Sequence, residues 1–323
     1  MNLKEIQAPI QNHLDEFNAL FRDAIRSRAP VLNTITNYIV KRKGKQMRPL
    51  FVFFSAKLCG DITQKTYRAA ALVELLHTAT LVHDDVVDDS NERRGFFSIN
   101  AIWKNKISVL VGDYLLSRGL LLSLNNDDVE LLKIVSESVK QMSEGELLQM
   151  EKARSLDIKE DVYFKIIKQK TASLLASCFS CGASSVGADK ETIEKLHLIG
   201  ENVGMAFQIK DDLMDLEKTG KSGKPSGIDI RERKMTLPLI FMINKSSYLQ
   251  KRKIIRLIKN HKDRSDKITE LIDIIRNSGG IEYAEKKMEY YKNLALESLL
   301  EFPESYARES LEKLIYFTIN RNK

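Results

Sequence analysis

Apolar residues recur along this chain with the period of an α-helix. Near the N-terminus they are Ile10, Leu14, Phe17, Phe21 and Ile25, and further along they are Leu72, Leu75, Leu76, Ala79 and Val82. Spacings of three and four residues place such side chains on one face of a helix, which they would bury against neighbouring helices. The alternating pattern of half-buried strands is scarce. The pattern therefore predicts an all-α fold of roughly a dozen helices.

Breaks in this pattern occur at two places in the middle of the chain. Proline is absent from Leu50 to Lys224, so this stretch can form long helices without the kinks and ends that proline introduces. Within and just after it, the apolar period lapses over residues 90–100 and 218–233, which are rich in polar and charged residues. We expect long loops at both places.

A cluster of aspartates precedes each break. The first cluster is Asp84, Asp85 and Asp88, and the second is Asp211, Asp212 and Asp215. In each, the outer two aspartates are four residues apart and share one face of a helix. One such cluster is usually solvated, but two of them after apolar runs indicate cations between them, and all-oxygen ligation favours Mg²⁺ over Zn²⁺. Because protein-bound Mg²⁺ typically bridges carboxylates to substrate phosphates, we predict a phosphate or diphosphate substrate.

Composition and charge fit a large helical domain with an anionic ligand. The 323 residues are 43% hydrophobic and carry a formal net charge of +7. Two clusters that need one another predict a single domain over residues 1–323. Bases are interspersed with acids and form no aromatic-studded block, which argues against nucleic acid as a partner. Without a signal-peptide layout at the N-terminus or an uninterrupted apolar run of ~18 residues, we expect a cytoplasmic protein.

Basic side chains near the aspartates are candidates for binding phosphate. Arg93 and Arg94 follow the first cluster, Lys224 and Lys234 follow the second, and Lys45 and Arg48 precede the helix of the first. Arginine binds phosphate oxygens in a bidentate manner, and lysine adds a point charge. His77 lies two helical turns before Asp84. A lone histidine in an apolar run is more often a core residue, but its alignment with the aspartates favours a ligand-binding role.

Seven segments occur in a characteristic order and spacing. They are HTATLVHDDVVD at 77–88, RRG at 93–95, GDYLL at 112–116, KT at 170–171, QIKDDLMD at 208–215, GID at 227–229 and KMTLP at 234–238. Together they resemble the trans-type isoprenyl diphosphate synthases, within them the branch that makes hexaprenyl to octaprenyl diphosphates. The resemblance implies a helical bundle around a deep central cavity, usually a homodimer, that condenses isopentenyl diphosphate with an allylic diphosphate. Peripheral contact with a membrane for product release is a further expectation.

The resemblance also assigns roles to single residues. Asp84, Asp85, Asp88, Asp211, Asp212 and Asp215 would hold up to three Mg²⁺ ions on the allylic diphosphate. That diphosphate would also contact Arg93, Lys170, Gln208, Lys224 and Lys234, whereas isopentenyl diphosphate would contact Lys45, Arg48, His77 and Arg94. Thr171 is a further substrate-binding residue. The residues expected to carry catalysis are Asp84, Asp85, Asp88, Arg93, Lys170, Asp211, Asp212 and Lys224. They would draw charge from the departing diphosphate.

Two positions depart from the family pattern. Gln46 stands where the family usually has arginine, and this change is expected to weaken the binding of isopentenyl diphosphate slightly. Arg233 stands where glycine is usual. Because glycine adopts positive φ at little cost, this departure puts the backbone conformation of the second loop in doubt.

Ala79 and Thr80 are the residues expected to set product length. They precede Asp84 by five and four residues, about 6 to 7.5 Å along a helix, where a growing tail would descend. Short-chain relatives tend to carry an aromatic residue at the position of Ala79. Two small side chains predict an open shaft and a product longer than C20. The alternatives are that Ala79 packs against a neighbouring helix and that the protein is a short-chain farnesyl or geranylgeranyl diphosphate synthase.

Two further classes of protein are alternatives. A class I terpene cyclase also ionises a prenyl diphosphate at an aspartate-rich helix, but its second metal motif mixes Asn, Ser or Thr with Glu, unlike Asp211 and Asp212. A non-catalytic prenyl-lipid-binding subunit would be expected to have lost aspartates. None is missing from either cluster.

Overall fold

The computed structural model describes residues 2–41, 44–88, 92–93, 96–156, 159–217, 227–260 and 264–320. These residues form sixteen α-helices, a 3-10 turn at Ala8–Ile10, a π-turn at Lys168–Ala172 and one short β-hairpin. The prediction of an all-α fold is confirmed.

The helices occur in the following order. They are α1 (Leu3–Gln7), α2 (Gln11–Ile25), α3 (Pro30–Lys41), α4 (Met47–Cys59), α5 (Gln64–Val87), α6 (Ile99–Leu124), α7 (Val129–Ser155), α8 (Glu160–Ile167), α9 (Ser173–Ser185), α10 (Lys190–Asp215), α11 (Ile228–Arg231), α12 (Leu237–Lys245), α13 (Tyr248–Asn260), α14 (Ser265–Arg276), α15 (Gly280–Leu300) and α16 (Tyr306–Ile319). The hairpin pairs β1 (Glu92–Arg93) with β2 (Phe96–Phe97) in antiparallel register. It lies in the first predicted break, and α11 is a single helical turn in the second.

The chain forms two compact units. The first comprises Met1–Val139, Leu174–His197 and Phe302–Leu314, and the second comprises Lys140–Ser173, Leu198–Glu301 and Ile315–Lys323. The first aspartate cluster belongs to the first unit, and the second cluster belongs to the second. That the chain works as a single domain stays a prediction.

The core of the first unit follows the apolar stripes seen in the sequence. All ten residues of the two stripes on α2 and α5 are buried, including Ile10 in the turn before α2. The helices α5 and α6 pack closely because α6 has glycine at two contacts. A Cβ added to Gly119 would lie 3.3 Å from Leu72 Cδ1, and one added to Gly112 would lie 2.1 Å from His83 Nε2. The side chain of the histidine before Asp84 therefore rests directly on the backbone of α6.

Helix α6 is strongly apolar on average, although polar residues interrupt its apolar runs. Among the described residues it is the one helix long and apolar enough to cross a membrane by length and composition, with a mean hydropathy of 1.5 over its most apolar stretch. Only 33% of that stretch is buried inside the protein. Length and composition are weak evidence for a membrane span, because core helices of soluble proteins meet the same test.

In the second unit, two helices approach the π-turn at Lys168–Ala172 through glycines. A Cβ added to Gly145 of α7 would lie 2.9 Å from the backbone nitrogen of Lys170, and one added to Gly204 of α10 would lie 2.4 Å from Ala172 Cα. Single π-turns inside helices occur frequently at functional sites. This one presents Lys170 and Thr171, so the two glycines fix the backbone of a predicted substrate-binding segment.

Candidate active site

The first aspartate cluster lies at the C-terminal end of α5. Asp84 is half-buried, Asp85 is only 3% exposed, and Asp88 is the exposed C-cap whose backbone N–H donates to the Asp84 carbonyl at 2.8 Å. The carbonyl of Asp85 accepts a hydrogen bond from Asn100 Nδ2 at 3.4 Å. The C-terminal end of a helix carries partial negative charge. Three carboxylates added there make this end of α5 a strong attractor for cations.

A pocket opens beside this end of α5. It encloses about 840 Å³, counting space open to solvent, and its lining includes Gln46, His77 and Asp85. Lys45 is exposed and Arg48 is half-buried on either side of Gln46. Of the described residues predicted to bind isopentenyl diphosphate, His77 lines this pocket and Lys45 and Arg48 do not.

Gln46, the first departure from the family pattern, is held by α2. Its backbone has the left-handed φ of 52° just before α4 begins. Its side-chain Nε2 donates to Asn18 Oδ1 at 2.9 Å. The Gln46 amide is therefore bonded within the protein, and it lacks the positive charge that arginine would carry at this position.

Some predicted residues lie away from this pocket or outside the described residues. Ala79 is fully buried and Thr80 is half-buried, and neither lines the pocket. Arg93 lies in β1. Arg94 and Lys224 lie outside the described residues.

The second cluster lies at the C-terminal end of α10, and its central member is deeply buried. Asp212 is 4% exposed, and both of its oxygens accept hydrogen bonds from side chains. The Tyr163 hydroxyl donates to Oδ2 at 2.7 Å, and Gln208 Nε2 donates to Oδ1 at 3.0 Å. Gln208 Oε1 in turn accepts a hydrogen bond from the Thr171 hydroxyl at 2.7 Å.

Asp215 connects α10 to the far side of the second loop. Its two carboxylate oxygens accept the backbone N–H groups of Ile228 at 2.9 Å and of Asp229 at 3.1 Å. The backbone N–H of Gly227 donates to the Asp215 carbonyl at 2.9 Å. Asp215 therefore caps the N-terminus of α11, where exposed N–H groups favour a negative charge.

Five predicted residues come together in one pocket of the second unit. This pocket encloses about 530 Å³ including open space, and its lining includes Lys170, Thr171, Gln208, Asp212 and Lys234. They are separated by up to 64 residues along the chain (234 − 170 = 64). Most of the residues predicted to contact the allylic diphosphate are thus neighbours.

Among the lining residues that sequence reasoning did not assign to the site are Tyr163 and Asp229. Asp229 lies within the GID segment that the sequence analysis noted, but that segment gave Asp229 no assigned role. Lys234 Nζ lies 3.8 Å from Asp229 Oδ1 and 2.5 Å from Glu232 Oε2. Tyr163 offers no sequence signal that separates it from an ordinary core aromatic residue.

The electrostatics of this pocket favour the binding of a cation. Burial, together with the nearby Asp229 and Asp211 carboxylates, raises the pKa of Asp212 to about 7. Burial, together with the charge of Asp215, raises the pKa of Asp229 to about 6. The pKa of Asp215 is also raised, chiefly by burial. Carboxylates that resist ionisation in this way gain from a bound cation.

The available donors fit Mg²⁺ that shares its ligands with a substrate. All of the candidate ligands are carboxylate oxygens, which hard divalent cations prefer. Within the described part of the chain, no three acidic, histidine or cysteine side chains already form a metal-binding group. Ions bound here would therefore need further oxygens, as Mg²⁺ usually takes from phosphates and water.

Arg233 has a left-handed backbone conformation. Its φ is +59°, in the region that favours glycine. The guanidinium Nη2 donates to the carbonyl of Lys259 at 3.0 Å. The loop therefore keeps its conformation at the cost of some strain, and the long side chain ties it to the end of α13.

Comparisons with known proteins agree with this arrangement. The sequence model of the polyprenyl synthetase family matches residues 29–275. An all-trans-nonaprenyl-diphosphate synthase (geranyl-diphosphate specific) of Rhodobacter capsulatus is 35% identical over 98% of both chains. A geranylgeranyl diphosphate synthase of Saccharolobus solfataricus is 32% identical over 96% of both. A crystal structure of polyprenyl synthase from Caulobacter crescentus CB15, complexed with calcium and isoprenyl diphosphate, superposes with a TM-score of 0.91 at 33% identity and covers 99% of this chain and 98% of its own.

Proposed function

We propose a reaction for this chain from one premise, that it belongs to the polyprenyl synthetase family and is a trans-prenyltransferase. In this reaction the protein condenses isopentenyl diphosphate with an allylic diphosphate, in the presence of Mg²⁺. Repeated condensation would build a polyprenyl diphosphate longer than C20.

The observation that carries the proposal is the location of both aspartate clusters at C-terminal helix ends. α5 ends at Val87 and α10 ends at Asp215. Carboxylates are unfavourable at such ends, where the helix dipole is negative, unless a cation neutralises them. In the second unit, Lys170 and Lys234 line the same pocket as Asp212. Carboxylates for metal ions beside lysines for phosphate oxygens form a suitable site for a metal–diphosphate group.

Each part of the chain has a role in the proposed reaction. Asp84, Asp85 and Asp88 of the first unit and Asp211, Asp212 and Asp215 of the second would hold the ions. Lys170 and Lys234 would bind the oxygens of the allylic diphosphate. When bound, Mg²⁺ supplies Lewis-acid stabilisation of the departing diphosphate. The allylic C–O bond breaks, and the double bond of isopentenyl diphosphate attacks the resulting allylic cation. The new C–C bond leaves a cation that loses a proton to the departed diphosphate, so no side-chain base is needed.

Product length is the part of the proposal that relatives leave open, since nonaprenyl and geranylgeranyl synthases both match the chain. We favour products longer than C20 because Ala79 and Thr80 are both small. Incubation of the purified protein with isopentenyl diphosphate, Mg²⁺ and each short allylic primer, followed by chromatography, would size the product. Release of free prenyl alcohol or a cyclic hydrocarbon, or no reaction, would contradict the proposal.

Ala79→Tyr tests whether the tail passes this residue. We expect this variant to shorten the product to C15 or C20 without abolishing condensation. Because Ala79 is fully buried, tyrosine there also risks overpacking the core. The half-buried Thr80→Phe is a milder second variant, and circular dichroism would show whether each folds. An unchanged product distribution in folded variants would show that Ala79 only packs against its neighbours.

A homodimer is part of the proposal, and α6 offers a surface for it. Val109, Leu110, Leu120, Leu121 and Leu124 are exposed at spacings that place them along one side of the helix. Leu110 is 64% exposed. Exposed apolar patches of this kind mark protein interfaces, and a second copy of the same helix would be a self-complementary partner. Sedimentation of Leu110→Glu and Leu121→Glu as monomers would support this interface, and dimers of unchanged stability would exclude it.

Contact with an anionic membrane is the remaining part of the proposal, together with a cytoplasmic location. The 13 residues of α13 contain no acid. Its exposed side chains include Leu249, Arg252, Lys253, Arg256 and Lys259. Basic residues near an anionic bilayer contribute about 1 kcal/mol each. Co-sedimentation with anionic but not neutral vesicles, lost when the four bases are changed to glutamine, would support the contact, and fractionation of cells would test the location.

A further inference from the structure

A continuous chain of hydrogen bonds runs from the core of the second unit into the pocket at Lys170 and Lys234. Tyr163 of α8 donates to Asp212, Gln208 donates to the other oxygen of Asp212, and Thr171 of the π-turn donates to Gln208. All four side chains line the same pocket. The Tyr163 end is 4% exposed, whereas Thr171 and Gln208 are half-buried.

Asp212 determines how the other members are oriented. Gln208 Nε2 donates to Asp212 Oδ1, so the amide NH₂ lies on the Asp212 side. Gln208 Oε1 must then face Thr171, and the Thr171 hydroxyl must donate to it. These hydrogen bonds fix the direction of the second N–H of Gln208 and of the lone pairs on the Thr171 hydroxyl oxygen.

Tyr163 restrains Asp212 from the opposite side. The Asp212 carboxylate is rigidly placed because its two oxygens are held by donors on different segments, α8 and α10 itself. Without the hydroxyl of Tyr163, Asp212 could rotate about its terminal torsion, and the hydrogen bond that sets the Gln208 amide would lose its fixed direction.

We propose that Tyr163 and Asp212 are positioning residues that hold Gln208 and Thr171 in the orientation that binds the allylic diphosphate. This positioning role is additional to the metal ligation predicted for Asp212 from the sequence. The inference rests on the proposed function, because it takes the ligand of this pocket to be that diphosphate. Tyr163 itself is too deeply placed to touch the reacting atoms.

The test compares Tyr163→Phe with a matched control. Phenylalanine keeps the ring and its edge contact with Phe164 but removes the donor. Tyr283→Phe is the control. Like Tyr163, Tyr283 donates its hydroxyl to a carboxylate, here that of Glu160, but it does not line the pocket. We expect Tyr163→Phe to raise the KM for the allylic diphosphate by about tenfold, the effect of one lost positioning hydrogen bond. The KM for isopentenyl diphosphate, and both KM values of Tyr283→Phe, should stay within about twofold of wild type.

A double-mutant cycle separates positioning from general destabilisation. If the chain acts as a unit, adding Tyr163→Phe to Gln208→Ala should raise the allylic KM no further than Gln208→Ala alone. A purely structural role for Tyr163 predicts multiplied effects instead. If Tyr163→Phe folds poorly, the same cycle with Thr171→Val in its place measures the coupling from the half-buried end of the chain. Additive effects in the cycle, or a wild-type KM in folded Tyr163→Phe, would overturn the inference.

A binding measurement keeps this test independent of turnover. Inorganic diphosphate with Mg²⁺ should raise the Tm of the wild-type protein, and Tyr163→Phe should reduce that rise more than Tyr283→Phe does. If the wild-type protein makes no prenyl product but shows this pattern, the proposed reaction fails and the positioning role stands. Normal turnover with equal Tm rises in both variants would contradict the positioning role alone.

Discussion

Replacing Gly204 with alanine should damage the active site from a distance by pushing on the π-turn. Gly204 lies inside α10, four residues before Gln208, and faces the backbone of Ala172. A Cβ at this position would be 2.4 Å from Ala172 Cα, whereas unstrained carbon atoms lie about 3.5 to 4.0 Å apart. Because the opposing atom belongs to the backbone, no side-chain rotation can relieve the overlap. The helix and the turn must separate by about 1 Å or more.

Two opposing effects set the size of the loss. Alanine stabilises a helix interior by about 1 kcal/mol relative to glycine. Forcing an extra carbon into a packed contact costs about 1 to 3 kcal/mol, and a backbone overlap this severe belongs at the upper end. The net destabilisation is then about 2 kcal/mol, which lowers the Tm of a chain of this length by about 4 °C. A shift of the π-turn by about 1 Å would also misplace Lys170 and lower kcat/KM by up to a hundredfold.

Differential scanning calorimetry and steady-state kinetics would check both effects. Gly60→Ala is a suitable control, because its nearest contact would be an ordinary 3.5 Å to Val186 Cβ and its backbone is extended. The control should match wild type in Tm and in kcat/KM. A Gly204→Ala protein that also matches wild type in both would refute the reasoning that this glycine fixes the π-turn.

Three shorter predictions concern the charged groups. Asp84→Ala or Asp211→Ala should keep the helical circular dichroism but lose at least about a hundredfold in turnover, since each removes a metal ligand; near wild-type rates at limiting Mg²⁺ would contradict this. His77→Ala should chiefly raise the KM for isopentenyl diphosphate and Arg93→Ala that for the allylic substrate, and the opposite pattern would exclude these assignments. The rise in Tm caused by Mg²⁺ should be larger at pH 8 than at pH 6. The pKa of Asp212 is raised to about 7, so the apoprotein loses stability as pH rises towards that value. At pH 8 Mg²⁺ would meet the ionised carboxylate, whereas at pH 6 it would have to displace a proton. Equal rises would contradict it.

Much of the fold was predictable because it depends on helical period alone. The apolar stripes of α2 and α5 are buried as their spacing requires. The aspartate clusters were equally readable, since residues four apart on a helix share a face wherever the helix lies. The departure at Arg233 marked a residue with an unusual backbone, since glycine is usual there and the structure has a φ of +59°.

The contacts that could not be predicted are those between distant segments. Tyr163 and Asp212 are 49 residues apart, and Thr171 and Gln208 are 37 apart. No local pattern records which buried tyrosine meets which carboxylate. Gly145 and Gly204 were missed for a related reason. Inside a helix a glycine signals only a modest loss of propensity, and the reason for it is a neighbour that the sequence does not reveal.

The aspartates at each helix end also explain why metal and substrate should bind together. The described residues offer no group of three ligands that could hold an ion without help, so Mg²⁺ alone gains few contacts. Diphosphate alone would meet the negative end of a helix and its carboxylates, which repel it. Bound together, the ion neutralises the carboxylates while the diphosphate completes its coordination. We therefore expect Mg²⁺ and inorganic diphosphate together to raise the Tm by more than the sum of their separate effects. Thermal shifts measured with each alone and with both would decide this, and strictly additive shifts would show that the two bind independently.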